Sequence, residues 1–414
     1  MTWVAPPAPA TTVRIVIAVQ GLRALVYGFG AFVLGSTLAS EGLSDVAVGV
    51  VFSGMLVGMA FGSLAVGRWG DRLGTRRVYR LLLAIMGISG AVFALTSWLP
   101  LLLLAAGTGT MSTDANESGP ITSLEQAMLA DAPAAVRPGV FGRYNAVAYL
   151  AGSFGALLAG GPAAFRHLLP ALPSEQRWLL AFPVVAAACV AIAGRLPVAT
   201  RHPVGAGAAT ASPLTRSRRS VHRLAGLFAV DAFGGGLVVQ SFLVFWFARR
   251  FGASIELMSV VLFAAGILQA GSSLAAGWLV PRLGALNTMV FTHIPSNVLL
   301  LAVSVMPTLG WAIALLLARF ALSQMDVPAR QAFVAEMVAP SERTAAAAYT
   351  NTARYLGRPA GPAVAGALMQ RVAIGAPFAV GGAIKIVYDL VLYAAFRHTL
   401  ATRGPDPVEV VTTA

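Results

Sequence analysis

The sequence predicts an all-α integral membrane protein whose twelve transmembrane helices form two six-helix bundles, and three observations lead there. Of 414 residues, 57% are hydrophobic and 11% charged, with a mean hydropathy of +0.76, where soluble domains carry about 25% charged residues. Apolar runs of roughly 18 to 25 residues recur twelve times, each long enough to cross a hydrocarbon core about 30 Å thick as an α-helix. The second half of the chain also repeats the first at fixed spacings.

Taken in order, the expected spans are about 13–38, 45–67, 77–97, 99–129, 140–162 and 177–194, then about 222–247, 255–280, 285–306, 308–337, 344–370 and 377–396. The first shows no small-residue cleavage site behind a short apolar core and is expected to remain as a helix. The second carries a four-residue stripe, Gly54, Gly58 and Gly62, and the eleventh carries Gly357, Gly361 and Ala365. Such stripes let helices approach closely, either across the interface between the bundles or inside one of them. Cys189 in the sixth span is the chain's one cysteine, which excludes a disulfide framework and a thiol-ligated metal site. Between the sixth and seventh spans lies RLPVATRHPVGAGAATASPLTRSRRSVHR, a Pro-, Ala- and Arg-rich stretch without apolar periodicity. The expected domains are a first bundle at about 1–194, a linker at 195–221, a second bundle at 222–400 and a tail at 401–414.

The fourth span is the least obvious. Its second half, TGTMSTDANESGPITSLEQAMLAD, has the composition of a solvated loop. At a spacing of 205, however, EQAMLAD from Glu125 lies on RQAFVAE from Arg330, and Tyr144, Gly152 and Gly161 fall on Tyr349, Gly357 and Gly366. The second copy, IALLLARFALSQMDVPARQAFVAEM, is apolar enough to span, so the first is expected inside the membrane as well. A second match at a spacing of 210 lays GRWGDRLG from Gly67 on GWLVPRLG from Gly277. A duplicated six-helix unit is the architecture of many secondary transporters.

The formal charge of +13 would suit a nucleic-acid binder only if the basic residues shared a soluble face. They sit at helix ends instead. Their bias toward alternate loops, including GRWGDRLGTRRVYR, the central linker and FRHTLATR, places both termini in the cytoplasm by the positive-inside rule.

The segment GRWGDRLGTRRV resembles the signature loop of the major facilitator superfamily between its second and third helices, written G-x-L-A-D-R-x-G-R-R-x-L. Gly67, Asp71, Arg72, Gly74 and Arg76 stand where that pattern asks, while Trp69, Gly70 and Thr75 depart from it. The chain also looks like a prokaryotic subgroup of transporters without an assigned substrate, on ESGPITSLEQAML, VFTHIPSNVLL and SQMDVPARQAF. The antiporter signature of the fifth helix is only weakly matched by GSFGALLAGGP, whereas GRPAGPAVAG appears on the eleventh span. The resemblance implies alternating access around a cavity built from the first, fourth, seventh and tenth helices. It implies a conformational latch for Gly67, Asp71, Arg72, Gly74 and Arg76.

Intramembrane charge costs at least about 2.5–3.5 kcal/mol per residue, so charges on these four helices are expected to face the cavity or pair. They are Arg23; Asp114, Glu117 and Glu125; Asp231; and Arg319, Asp326 and Arg330. In the repeat register Asp114 matches Arg319 and Glu125 matches Arg330, acid against base, and such inverted pairs are expected either to attract when the bundles close and separate when they open, or to compete with a charged or zwitterionic substrate. Asp114 is the expected proton site, with Glu117 or Asp231 as alternates. Glu125 and Arg330 lie toward the cytoplasmic ends and are expected to brace them. His293 lacks a second ligand at i+4, which disfavours a metal. Lys385 and Asp389 are four apart and are expected to pair with each other. No metal, nucleotide or protease motif appears, so neither a cofactor nor an enzymatic reaction is expected.

The expected function is a proton-coupled exporter of a small organic solute in the inner (plasma) membrane, acting as a monomer in the lipid bilayer without nucleic acid. The alternative is a proton symporter importing a nutrient or organic anion, favoured by Arg319, Arg354 and Arg358.

Overall fold

The computed structural model describes residues 10–40, 45–112, 114, 118–159, 175–197, 214–253 and 255–397. The first half comprises α1 (Ala10–Ser40), α2 (Asp45–Leu73), α3 (Thr75–Leu95), α4 (Leu99–Gly107), α5 (Pro120–Ala130), α6 (Arg137–Ala159), a 3₁₀ turn (Glu175–Leu180) and α7 (Ala181–Ala193). The second comprises α8 (Arg218–Gly236), α9 (Gln240–Phe251), α10 (Ile255–Leu283), α11 (Ala285–Val303), α12 (Leu309–Ser323) and α13 (Asp326–Met337). After a 3₁₀ turn (Pro340–Glu342) come α14 (Arg343–Gly357), α15 (Ala360–Arg371) and α16 (Ala376–Phe396).

Eight stretches of described helix are long and apolar enough to cross a membrane. The fourth, fifth, seventh and eleventh spans are not among them, and the reason is visible in three of these. The seventh is broken between α8 and α9, and the eleventh between α14 and α15, at Arg358–Pro359. The fourth, expected as one helix over 99–129, is two: α4 ends at Gly107 and α5 begins at Pro120. The tenth breaks as well, at Gln324–Met325, though it stays apolar enough to count. These last two breaks coincide in the repeat, because Pro120 lies on Met325. Local chemistry explains the restarts. Gly119 takes a φ of 49° and Pro120 opens α5, where its missing N–H costs nothing. Asp326 opens α13 with an acidic side chain at a helix N-terminus.

One end of the molecule gathers the α2–α3 and α10–α11 turns and residues 214–217 ahead of α8, through Gly67 on Ala348, Gly277 on Gly139 and Glu342 on Thr215; we call it the linker end. Each of those turns is a single glycine, Gly74 at φ 90° and Gly284 at φ 82°, left-handed values that a side chain would strain. The two glycines coincide at the spacing of 210. At the same end the Glu342 carboxylate accepts from the backbone N–H groups of Thr215 (2.7 Å), Arg216 (2.9 Å) and Ser217 (3.1 Å), just ahead of α8. Burial alone would raise this carboxyl, but those donors outweigh it and lower it to about 2.

Each half has its own core. One apolar cluster draws only on residues between Ile15 and Leu196. Two others draw only on residues between Leu214 and Phe396. Lipid tails are as apolar as the side chains, so packing density and polar contacts must hold the helices together. Glycine pairs allow close approaches, Gly28 on Gly152 in the first half and Gly361 on Gly236 in the second. The halves meet through α2 with α14 and α6 with α10, and α5 and α13 also reach across.

Both small-residue stripes pack inside their own half. Gly54, Gly58 and Gly62 receive Ala106, the Gly107–Gly109 turn and Pro120, so they seat the broken fourth span. Gly357 and Gly361 receive Ala229 and Gly236 of α8. Among the described glycines, those that face the other half are Gly67 against Ala348, Gly142 against Ser273, Gly266 against Ser153, and Gly277 against Gly139.

Candidate functional site

One ion pair of the first half is enclosed completely. Arg23 of α1 is 0% exposed and forms an ion pair with Glu125 of α5 at 2.5 Å. Its guanidinium also donates to Ser118 and Gln20. Glu125 accepts from the hydroxyls of Tyr79 (2.6 Å) and Tyr144 (2.7 Å). One cation, one carboxylate and two phenols thus close on themselves, which is how a buried charge avoids its desolvation penalty. Arg23, expected on the cavity wall, is turned into this hub, and Glu125 lies inside it rather than at a helix end. The sequence marks Tyr144 only as a repeat position and Tyr79 not at all, because nothing in an apolar run marks a hydroxyl that will meet a carboxylate.

The second half holds the same pair with the charges exchanged. Asp231 of α8 lies 3.5 Å from Arg330 of α13. Asp231 stands 208 residues after Arg23 and Arg330 stands 205 after Glu125, so acid and base have changed places between repeats. Here the pair is not closed. Arg330 also reaches Asp326 at 3.4 Å, and Asp231 holds Lys385 of α16 at 2.5 Å. Lys385 is 3.5 Å from His293 Nε2, and His293 Nδ1 is 2.9 Å from Asp389. All six side chains are buried. Lys385 and Asp389, expected to pair with each other along one helix, instead reach α8 and α11. The side chains of α16 point into the bundle, where cross-helix partners replace the neighbour one turn away. The sequence signal for this cluster was the chain's one lysine, set inside an apolar run.

Asp114 and Arg319, matched in the repeat, are not partners. Asp114 forms an ion pair with Arg358 at 3.1 Å, linking the halves, and both side chains are 37% exposed. The Arg319 guanidinium lies over the Phe320 ring at 5.1 Å, with no carboxylate within ion-pair distance among the described residues. Register equivalence places two residues at matching positions of their own halves, which need not face each other. Glu117 lies outside the described residues, as does the side chain of Asp71. Of the other latch residues, Gly67 packs on Ala348 of the opposite half, Gly74 forms the α2–α3 turn, Arg72 closes α2 and Arg76 opens α3.

Between the linker end and mid-depth, polar contacts bind half to half. Arg343 pairs with Asp131 (3.0 Å), Asn145 donates to Gln331 (2.7 Å), Asn351 donates to Gln126 (3.1 Å), and Tyr149 donates to Gln324. A cavity of about 30 Å³ remains among them, lined by Gln126, Gln331, Asn351 and Arg330, room for about one water. Arg330 therefore touches both this seam and the buried cluster. Neutral amide contacts of this kind, net about 0.5–1.5 kcal/mol each, suit a seam that must part.

The chain belongs to the major facilitator superfamily: the model of the Major Facilitator Superfamily matches residues 16–325. The chain is 25% identical to the Saccharomyces cerevisiae membrane protein YJR124C, over 93% of this chain and 94% of that one. Among solved structures it is similar to the human organic anion transporter MFSD10 (TM-score 0.70, 19% identity, 93% of this chain and 100% of that one). It is equally similar in fold to the proton:xylose symporter XylE (TM-score 0.70, 16% identity, 93% and 96%). The protein is accordingly a multi-pass membrane transporter and not an enzyme.

Proposed function

We propose that this chain is a proton-coupled secondary transporter that works by alternating access and exports a small organic solute from a prokaryotic cell across its plasma membrane. The Asp114–Arg358 pair carries the reading. It is an ion pair between the halves, half-exposed at the depth where the fourth and eleventh spans are broken, so a cationic group can take Asp114 from Arg358 as the halves move. Broken helices at mid-depth are where secondary transporters place their substrates. The seam from Asp131–Arg343 to Tyr149–Gln324 then corresponds to a state closed on the linker side, with the linker and both termini cytoplasmic. The two bundles, at about 1–194 and 222–400, are the bodies that rock. The alternative, import of a nutrient or an organic anion with protons, is favoured by Arg319, whose guanidinium has no carboxylate within ion-pair distance among the described residues.

Thermal unfolding of the purified protein against small cations, anions and zwitterions at two pH values tests this, with Asp114→Asn and Arg319→Ala alongside. A ligand at one hundred times its Kd stabilises by about 2.7 kcal/mol. Cationic ligands whose effect disappears in Asp114→Asn support the exporter. Anionic ligands whose effect disappears only in Arg319→Ala favour the alternative.

A further inference from the structure

The two halves handle buried charge differently. In the first half Arg23 and Glu125 balance one to one, and both Glu125 oxygens are hydrogen-bonded. The second-half cluster contains three carboxylates, Asp231, Asp326 and Asp389, against two fixed cations, Arg330 and Lys385, in direct contact. His293 is the one further member. Its Nε2 faces the Lys385 ammonium at 3.5 Å, and its Nδ1 is placed to donate to Asp389 Oδ1 at 2.9 Å. A proton added at Nε2 would point at a cation. Asp389 Oδ2 is different: it is buried, on a side chain 1% exposed, with no hydrogen-bond partner among the described residues. One turn along α11 from His293, Asn297 is also fully buried with neither side-chain atom bonded. Toward His293, α16 presents Lys385, Tyr388 and Asp389, α8 presents Asp231, and α13 presents Asp326 and Arg330. From α12, Arg319 lies within electrostatic range of Asp326. α10 carries no ionisable residue between Glu256 and Arg282.

We infer that Asp389, held by His293, is a proton-binding site, and that the proton it takes is the coupling proton of the transport cycle. This rests on the proton-coupled reading above. Binding takes a proton from water to form an O–H bond at Asp389 Oδ2 and removes the charge of a carboxylate that, among the described residues, pairs with no lysine or arginine. Release breaks that bond and returns the proton to water. His293 is a positioning residue: its Nδ1–H holds Oδ1 and leaves Oδ2 to titrate. The route to the linker side is built in, because Asp231 joins Lys385 to Arg330, and Arg330 lines the cavity in the seam between the halves. When that seam parts, water reaches the cluster through Arg330.

The proton is the ligand, so pH is the probe. Infrared titration of the full-length protein in lipid nanodiscs, from about pH 5 to about pH 8, follows the carbonyl stretch of protonated carboxylic acids. We expect a titrating band that is lost in Asp389→Asn, retained in Asp114→Asn and shifted in midpoint in His293→Gln. A band that persists in Asp389→Asn, or one unmoved in His293→Gln, overturns the assignment; the second variant also serves if the first does not fold. Flux in liposomes under an imposed pH gradient, using the compound that most raises Tm in the thermal panel, separates this inference from the reading beneath it. Gradient-driven flux kept in Asp389→Asn overturns the assignment and leaves proton coupling standing. Flux indifferent to the gradient in the unmodified protein overturns the coupling, even where the Asp389 band titrates as expected.

Discussion

At the scale of single residues, buried charges here have partners fixed by geometry, and breaking a pair costs more than the pair is worth. Glu125→Gln leaves Arg23 charged and fully buried beside a neutral amide. The expected loss is about 3–5 kcal/mol in unfolding stability. The double change of Arg23 and Glu125 to Met should cost less than Glu125→Gln alone, and denaturation of the three proteins in one detergent checks the order. Glu342 gives a pH prediction. Its carboxyl falls from an ordinary 4.5 to about 2 in the folded protein. A depressed carboxylate contributes stability that is complete above its unfolded value and is lost as pH falls toward the folded one. The clamp on Thr215–Ser217 should therefore hold above about pH 4.5 and weaken progressively toward about pH 2. Protease cleavage near Thr215 should rise over that window, and Glu342→Gln should flatten the dependence.

At the scale of elements, the break in the fourth span and the α2–α3 and α10–α11 turns depend on glycines with positive φ, and two of them differ in an informative way. A side chain at Gly284 would meet nothing within 4 Å, so Gly284→Ala should cost only the conformational penalty, about 1–3 kcal/mol. At Gly119 an added Cβ would stand 2.7 Å from the Met59 Cα. Gly119→Ala should therefore cost more than Gly284→Ala, because α5 must shift away from α2 as well, and thermal unfolding of the two variants compares them directly. This is also the scale at which the sequence was least legible. The fourth and tenth spans were marked for the membrane by their repeat, yet their interruptions were not expected. Hydropathy averages over a window, and in the tenth span the apolar segment before the break is long enough to carry that window across it.

At the scale of the whole molecule, the described state has its halves joined at the linker end. The close approach of Gly277 to Gly139, where a Cβ would stand 2.8 Å from the opposing Cα, leaves no room for a side chain. Gly277→Trp should hold that end apart. A cysteine placed at Gln331 should then react with a membrane-impermeant thiol reagent at least tenfold faster, the population change that about 1.4 kcal/mol produces. Cys189 is buried and should stay silent.

What the sequence by itself determined was the class of molecule: an all-helical membrane chain with a duplicated architecture, and the helices on which its charges lie. Those features are written along the chain, as apolar length, as spacings of 205 and 210, and as glycines at matching turns. The tertiary structure decided which charge meets which. Arg23 turns inward to Glu125, Asp114 reaches Arg358 rather than Arg319, and Lys385 and Asp389 part to join Asp231 and His293. Helical phase fixes a side chain's direction only relative to its own axis. The rotation of that axis against its neighbours is set by packing, by glycine contacts such as Gly28 on Gly152 and Gly361 on Gly236, and by the breaks that let half-helices turn independently.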